Sequence, residues 1–136
     1  MASPLQPSTR TLGKAERLTH RKPIESLFKN GRSIKVTSMV LLSEPTVFPD
    51  DHPIKMMFIV SKKNYKLAHD RNQIKRWMRE SYRLQKQPII ATAKALGQQF
   101  NGGLMFTGKK MPNFPYVFNK TQELLKLWEQ ELKKES

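Results

Sequence analysis

Between Asp70 and Arg83 the sequence runs DRNQIKRWMRESYR: five basic side chains, one tryptophan, one tyrosine and two acids. Lysine and arginine at this density perform one kind of chemistry without any cofactor, the capture of a polyanion. Lysine supplies a point charge, whereas the planar arginine fork grips phosphate in two bonds and stacks on bases. On a helix advancing about 100° per residue from Arg71, the side chains of Lys75, Lys86, Arg79, Asn72, Arg83 and Arg76 fall within an arc of about 140°. Ile74, Trp77, Met78, Ser81 and Leu84 take the far side. Arg71, Lys75, Arg79 and Arg83 step by four, stacking like charges that destabilise an isolated helix by a few tenths of a kcal/mol per pair. Glu80, at the far edge of the basic face, is the helix's only acid besides Asp70 at its start. Docked anions would relieve this repulsion.

Lys62, Lys63 and Lys66 extend the patch upstream, so residues 61–86 carry nine of the chain's 25 lysines and arginines. The bland alternative is a solvated face of a basic protein. Segregation of charge from apolar residues favours the anion-binding reading. A membrane-surface helix would need its apolar face exposed, and here the core requires that face.

No other cluster suggests a reaction. His20, His52 and His69 have no partners at metal-ligand spacing, and Asp50–Asp51 beside prolines reads as a turn. There is no serine–histidine–acid arrangement and no G-x-x-x-x-G-K-[ST] loop. In TGKK, Lys109 and Lys110 are candidates for RNA contact, while Trp77, Tyr82 and Trp128 read as core or core edge. A catalytic site and a bound metal are therefore not expected in the chain itself.

The helix must be held by a small fold. At 136 residues the chain suits one domain. A net charge of +14 and a pI near 10.3 point to nucleic acid as the partner. With no cysteine, disulfides and thiolate metal sites are excluded. No apolar run approaches the ~18 residues of a membrane span, and no secretory signal stands at the N-terminus. A cytoplasmic protein is expected.

Residues 1–13 read as a flexible tail, and 14–134 as a single RNA-binding domain. Pro23 opens a short helix with Ile24, Leu27 and Phe28 on one face and Gly31 as its stop. RSIKVTSMVLLSE reads as one strand with Ile34, Val36, Val40 and Leu42 on one parity. IKMMFIVS reads as a second strand, covered on both faces. Pro88 should break the basic helix, with a further helical piece ending near NGG. LMFT reads as a short strand, and a last helix begins near Asn119 with Leu124, Leu125, Trp128 and Leu132 as its apolar stripe. Residues 11–19 could supply another strand. The fold class is α+β, a two-layer sandwich of a small mixed sheet and about three helices. By default, the β-α-β crossover around the basic helix is right-handed.

The stretch AHDRNQIKRWMRESYR resembles the signature of the bacterial ribonuclease P protein component: Arg-Asn-Arg, one residue, Lys-Arg, two residues, Arg. RLTHRKPIESLFKNGRS, IKMMFIVSKK and LMFTGKKMP follow the family's layout in order. The resemblance covers roughly residues 12–132. It implies a fold like domain 2 of ribosomal protein S5, with a left-handed crossover in place of the default. It implies the non-catalytic subunit of a ribonucleoprotein endonuclease that removes the 5′ leader of precursor tRNA. The RNA subunit and its Mg²⁺ would carry the chemistry, with no cofactor held by the protein.

Its implied partners are ribonuclease P RNA and precursor tRNA, with no membrane and no obligate protein partner. Implied RNA contacts are Lys62, Lys63, Lys66, Arg71, Asn72, Gln73, Lys75, Arg76, Arg79 and Arg83. An implied leader cleft involves Phe28, Met39 and Leu42. Gln73 replaces the third signature arginine, and Ile24 and Leu42 stand where the family often has an aromatic ring. The rival readings are a ribosomal-protein-like structural RNA binder, a DNA-binding regulator and a protein-only nuclease. The last needs clustered carboxylates, whereas the eleven acids are scattered.

Overall fold

The computed structural model of the protein describes residues 16–135. The expected tail, 1–13, lies outside them. Eight elements follow in order: α1 (Arg21–Asn30), β1 (Arg32–Val36), β2 (Met39–Thr46), β3 (Ile54–Val60), α2 (Ala68–Gln85), α3 (Gln87–Leu96), β4 (Gln99–Phe106) and α4 (Phe114–Glu135). The sheet order is β1-β2-β4-β3. Strands β1–β2 and β2–β4 are antiparallel, while β3 and β4 pair in parallel across the α2–α3 crossover.

The expected single strand over 32–44 is instead a hairpin. Thr37 and Ser38 turn the chain, with Ser38 at φ 71 and Val36 paired to Met39. The reversal splits the apolar set: Ile34 and Val36 join the main core, whereas Val40 and Leu42 face the opposite side of the sheet. Strand β4 starts before LMFT because Gly102 and Gly103 admit close neighbours. A Cβ at Gly102 would collide with the Met56 sulfur.

Helix α4 starts at Phe114 rather than near Asn119, since Asn113 Oδ1 accepts the Tyr116 N–H at 2.9 Å as a cap. Pro115 fits the first turn, which needs no internal donor. Pro88 does separate α2 from α3, giving four helices where about three were expected. Gly97, at φ 66, stops α3 in the left-handed conformation glycine adopts readily. Within 11–19, Arg17 forms an isolated parallel bridge with Met56 and the Leu18 N–H donates to Met56 O at 2.9 Å. Residues 11–15 lie outside the described part.

Alternation along β2 defines two cores. Met39 and Leu41 sit in the larger one, with Tyr82 of α2, Ile89 of α3 and Leu124 and Trp128 of α4. Leu42 packs on the other face with Leu18 and with Leu27 of α1. The sheet is therefore sandwiched unequally, and the basic helix lies on its larger-core side.

Candidate RNA interface

Helix α2 forms because Ile74, Met78, Ser81 and Tyr82 bury one stripe while Asp70 complements the dipole at its first turn. Tyr82 meets the Phe58 ring edge-on at 6.1 Å. Burial, followed by the Glu16 charge, pushes its phenol well above the ordinary tyrosine range. This anchoring fixes which side of α2 faces outward.

Asn72, Arg76 and Arg79 are exposed on that side, and Gln73 and Lys75 are half-buried beside them. The Arg79 guanidinium lies 5.9 Å from the Phe58 ring centroid, stacked but still open to an anion. The two ends of the ridge differ from its middle. Arg71 Nη1 donates to Tyr65 O at 2.7 Å and to Lys66 O at 2.9 Å. Arg83 pairs with Glu80, and that hydrogen bond, ahead of the Coulombic attraction, raises its already high pKa. The middle of the ridge thus carries the outward charge.

Lys86, where α2 passes into α3, does not join the outward face. The helix ends at Gln85, and the Lys86 side chain, 1 % exposed, sits 2.6 and 3.0 Å from the Glu16 carboxylate oxygens. It belongs to the interior.

Lys62, Lys63 and Lys66 are exposed on the β3–α2 loop, and Lys109 and Lys110 on the β4–α4 loop. Hydrogen bonds join the loops: Asn64 Nδ2 donates to Thr107 O at 3.3 Å, and Tyr65 Oη lies 2.8 Å from Gly108 O and 2.7 Å from Lys110 O. Burial, then the Asp70 charge, raises the Tyr65 pKa, so its proton is retained. Tyr65 had no signal in the sequence, because its partners lie 43 and 45 positions away.

The three residues expected in a cleft do not share one surface. Phe28 stands out from α1 at 49 % exposure, and Leu42, at 9 %, lies beneath that helix. Met39 is fully buried in the core on the opposite side of the sheet, because its parity in β2 is odd where that of Leu42 is even. It packs the interior. On the α1 side, Val40, Met57 and Met105 are half-buried and provide the apolar floor that Met39 does not.

Asp50, read as part of a turn, ties its loop to β3. It accepts Lys55 Nζ at 2.9 Å and the His52 N–H at 3.1 Å, and the Lys55 contact leads in holding its carboxyl below the usual range. Among the described residues no group of three or more histidines or acids could hold a metal ion, and no helix is long and apolar enough to cross a membrane.

The family model for ribonuclease P matches residues 12–98, which contain α1, the sheet's first three strands and the whole basic helix. The chain belongs to the ribonuclease P protein family. The ribonuclease P protein component of Chlorobium phaeobacteroides is 30% identical over 125 residues, covering 85% of this chain and 86% of that one. The Porphyromonas gingivalis component is 28% identical over 122 residues, covering 88% and 87%.

Among solved structures, the ribonuclease P protein of Thermotoga maritima superposes with a TM-score of 0.65 at 26% identity, covering 82% of this chain and 96% of its own. That of Staphylococcus aureus gives 0.67 at 22% identity, covering 85% and 96%, a likeness of fold. The family's role is 5′ maturation of tRNA, and membership implies association with ribonuclease P RNA.

Gln73, which stands where the resemblance implies a third signature arginine, lies on the half-buried margin of the outward face. Restoring it by Gln73→Arg should tighten RNA-subunit binding by about 1–2 kcal/mol, the scale of one charge-assisted contact. Titration of labelled RNA measures this. Unchanged or weaker binding would mean that this position does not face the RNA.

Proposed function

We propose that this chain is the non-catalytic subunit of ribonuclease P, positioning and neutralising RNA while the RNA subunit and its Mg²⁺ carry out hydrolysis. The observation that carries the reading is the outward row Lys75, Arg76 and Arg79. None of these cations forms an ion pair among the described residues, and the loop lysines stand beside them. A lattice of phosphates supplies the missing counter-charge. On the α1 side, Phe28 and the half-buried floor of Val40, Met57 and Met105 offer stacking and apolar contact to the single-stranded leader of precursor tRNA. A nuclease acting by two metals needs carboxylates converging on ions about 4 Å apart; the described acids form no such group.

Because screening is shared with the ion, the protein's benefit should shrink as Mg²⁺ rises. Leader contacts, which Mg²⁺ does not replace, should persist. Cleavage of precursor tRNA is to be followed with protein alone, RNA alone and both, across a Mg²⁺ titration. The expected result is no cutting by protein alone and strong stimulation at low Mg²⁺. Metal-dependent cleavage by nuclease-free protein alone would overturn the assignment. Constant stimulation at every Mg²⁺ level would refute screening and shift the weight to the Phe28 side.

A further inference from the structure

Two lysine-bearing loops, far apart in sequence, are held against each other at one end of the sheet. Tyr65 is the link. Its ring is buried against Phe106, with centroids 6.1 Å apart. Its hydroxyl reaches past the core to Gly108 O and Lys110 O, which share the single proton. Both acceptors are main-chain carbonyls of the loop that carries Lys109 and Lys110. From the other side, Arg71 fastens Tyr65 itself, through donation to the carbonyls of Tyr65 and Lys66. The same end is tied to the hairpin, since the Thr107 N–H donates to Ser38 O at 2.8 Å and Tyr116 Oη to Ser38 Oγ at 3.0 Å.

We propose that Tyr65 and Arg71 are positioning residues that brace the β3–α2 and β4–α4 loops, presenting Lys62, Lys63, Lys109 and Lys110 as one preformed platform for RNA phosphates. The inference rests on the RNA-binding reading above and adds a division of labour within it. Lysines of like charge separate when their loops are free, so a brace that keeps them together opposes folding's own electrostatics. It benefits binding, because loops already ordered lose less freedom when the RNA arrives. A concavity of about 410 Å³ opens beside the platform, lined in part by Lys109, Lys110, Asn113 and Tyr116, so the RNA meets a recess and not a flat face. Arg71 acts here through the loop, its Nη1 being committed to backbone.

Tyr65→Phe removes the hydroxyl and keeps the ring packing. The measurement is a double-mutant cycle on affinity for ribonuclease P RNA, using the full chain, with thermal melting to confirm folding. Tyr65→Phe alone should weaken binding about three- to tenfold, the range of one lost hydrogen bond. Lys109→Ala with Lys110→Ala should cost about tenfold or more in the parent protein, and clearly less in the Tyr65→Phe background. A tyrosine that merely stabilised the fold would give independent, multiplying effects, and that result overturns the proposal.

Arg71→Lys retains the charge but ends one atom short of the Nη1 that donates to both carbonyls, so it should couple to the lysines as Tyr65→Phe does. Parity of Arg71→Lys with the parent would overturn Arg71's part. If the parent failed to bind the RNA at all, the RNA-binding reading itself would fall. Binding by the parent together with an additive cycle would sink the platform alone.

Discussion

Replacing Lys75, Arg76 and Arg79 together by alanine should weaken binding to ribonuclease P RNA about a hundredfold near physiological salt while leaving the fold intact or slightly firmer. Each phosphate neutralised releases a condensed counterion worth about 1 kcal/mol at ~0.15 M salt, and three such losses make about two decades in affinity. The slope of log affinity against log salt should fall by about two to three units.

The stability effect has the opposite sign. These side chains are exposed or half-buried, and the buried stripe of Ile74, Met78, Ser81 and Tyr82 is left untouched. Alanine improves helix propensity and the Lys75–Arg79 repulsion disappears, which together offset the lost contact of Arg79 with the Phe58 ring. Binding isotherms at several salt concentrations, paired with far-UV circular dichroism melts, read both quantities. Weaker binding with an unchanged salt slope would show that these residues do not meet phosphate.

Glu16→Gln should cost about 3 kcal/mol of folding stability, more than any exposed ion pair in the molecule. Its partner Lys86 is almost completely buried, and the contacts of 2.6 and 3.0 Å offset the cost of keeping an ammonium group out of water. Breaking such a pair from one side typically costs about 3–5 kcal/mol; because Glu16 retains some exposure, the lower end applies. Arg21 and Glu25 make the instructive contrast, since they lie 3.6 Å apart but mostly in solvent, where a pair contributes about 0–1 kcal/mol. Lys86→Met, which keeps the stem's volume without the charge, should be much milder than Lys86→Ala. Urea unfolding measures all three. Equal stability of Glu16→Gln and the parent would remove the pair from the account of the fold.

Much of the interface was legible because it rests on one periodicity. Ile74, Met78 and Ser81 had to point inward, which sent Arg76 and Arg79 out. The same wheel failed at Lys86, where α2 passes into α3 with the backbone still helical, because no local pattern says that Glu16, seventy positions earlier, reaches that site. The hairpin was hidden for a related reason. Thr37–Ser38 lacks the Asn-Gly or Gly-rich signal of a two-residue turn, so Ile34 and Leu42 looked like one face of one strand. Met39, assigned to the cleft through the family resemblance, has the opposite parity to Leu42 in β2 and so faces the main core. Asn113 was passed over as the α4 cap because prolines on both sides made its segment read as loop. The role of Arg71 was beyond reach from sequence: a basic residue in a basic run gives no hint that its guanidinium ends on backbone carbonyls.

The contact of Arg17 and Leu18 with Met56 has a consequence for solubility. Strand β3 is the outermost strand on its side of the sheet, seven residues long, with Lys55 its only charge. An apolar edge of that kind templates pairing between chains and, from there, aggregation. The free protein is guarded twice: Arg17 and Leu18 cover part of the edge, and the charge of +14 keeps copies apart. Once RNA neutralises that charge, long-range repulsion fades and the steric cover remains. The cover by Arg17 and Leu18 is thus most valuable in the assembled ribonucleoprotein, where electrostatics no longer separates one edge strand from the next.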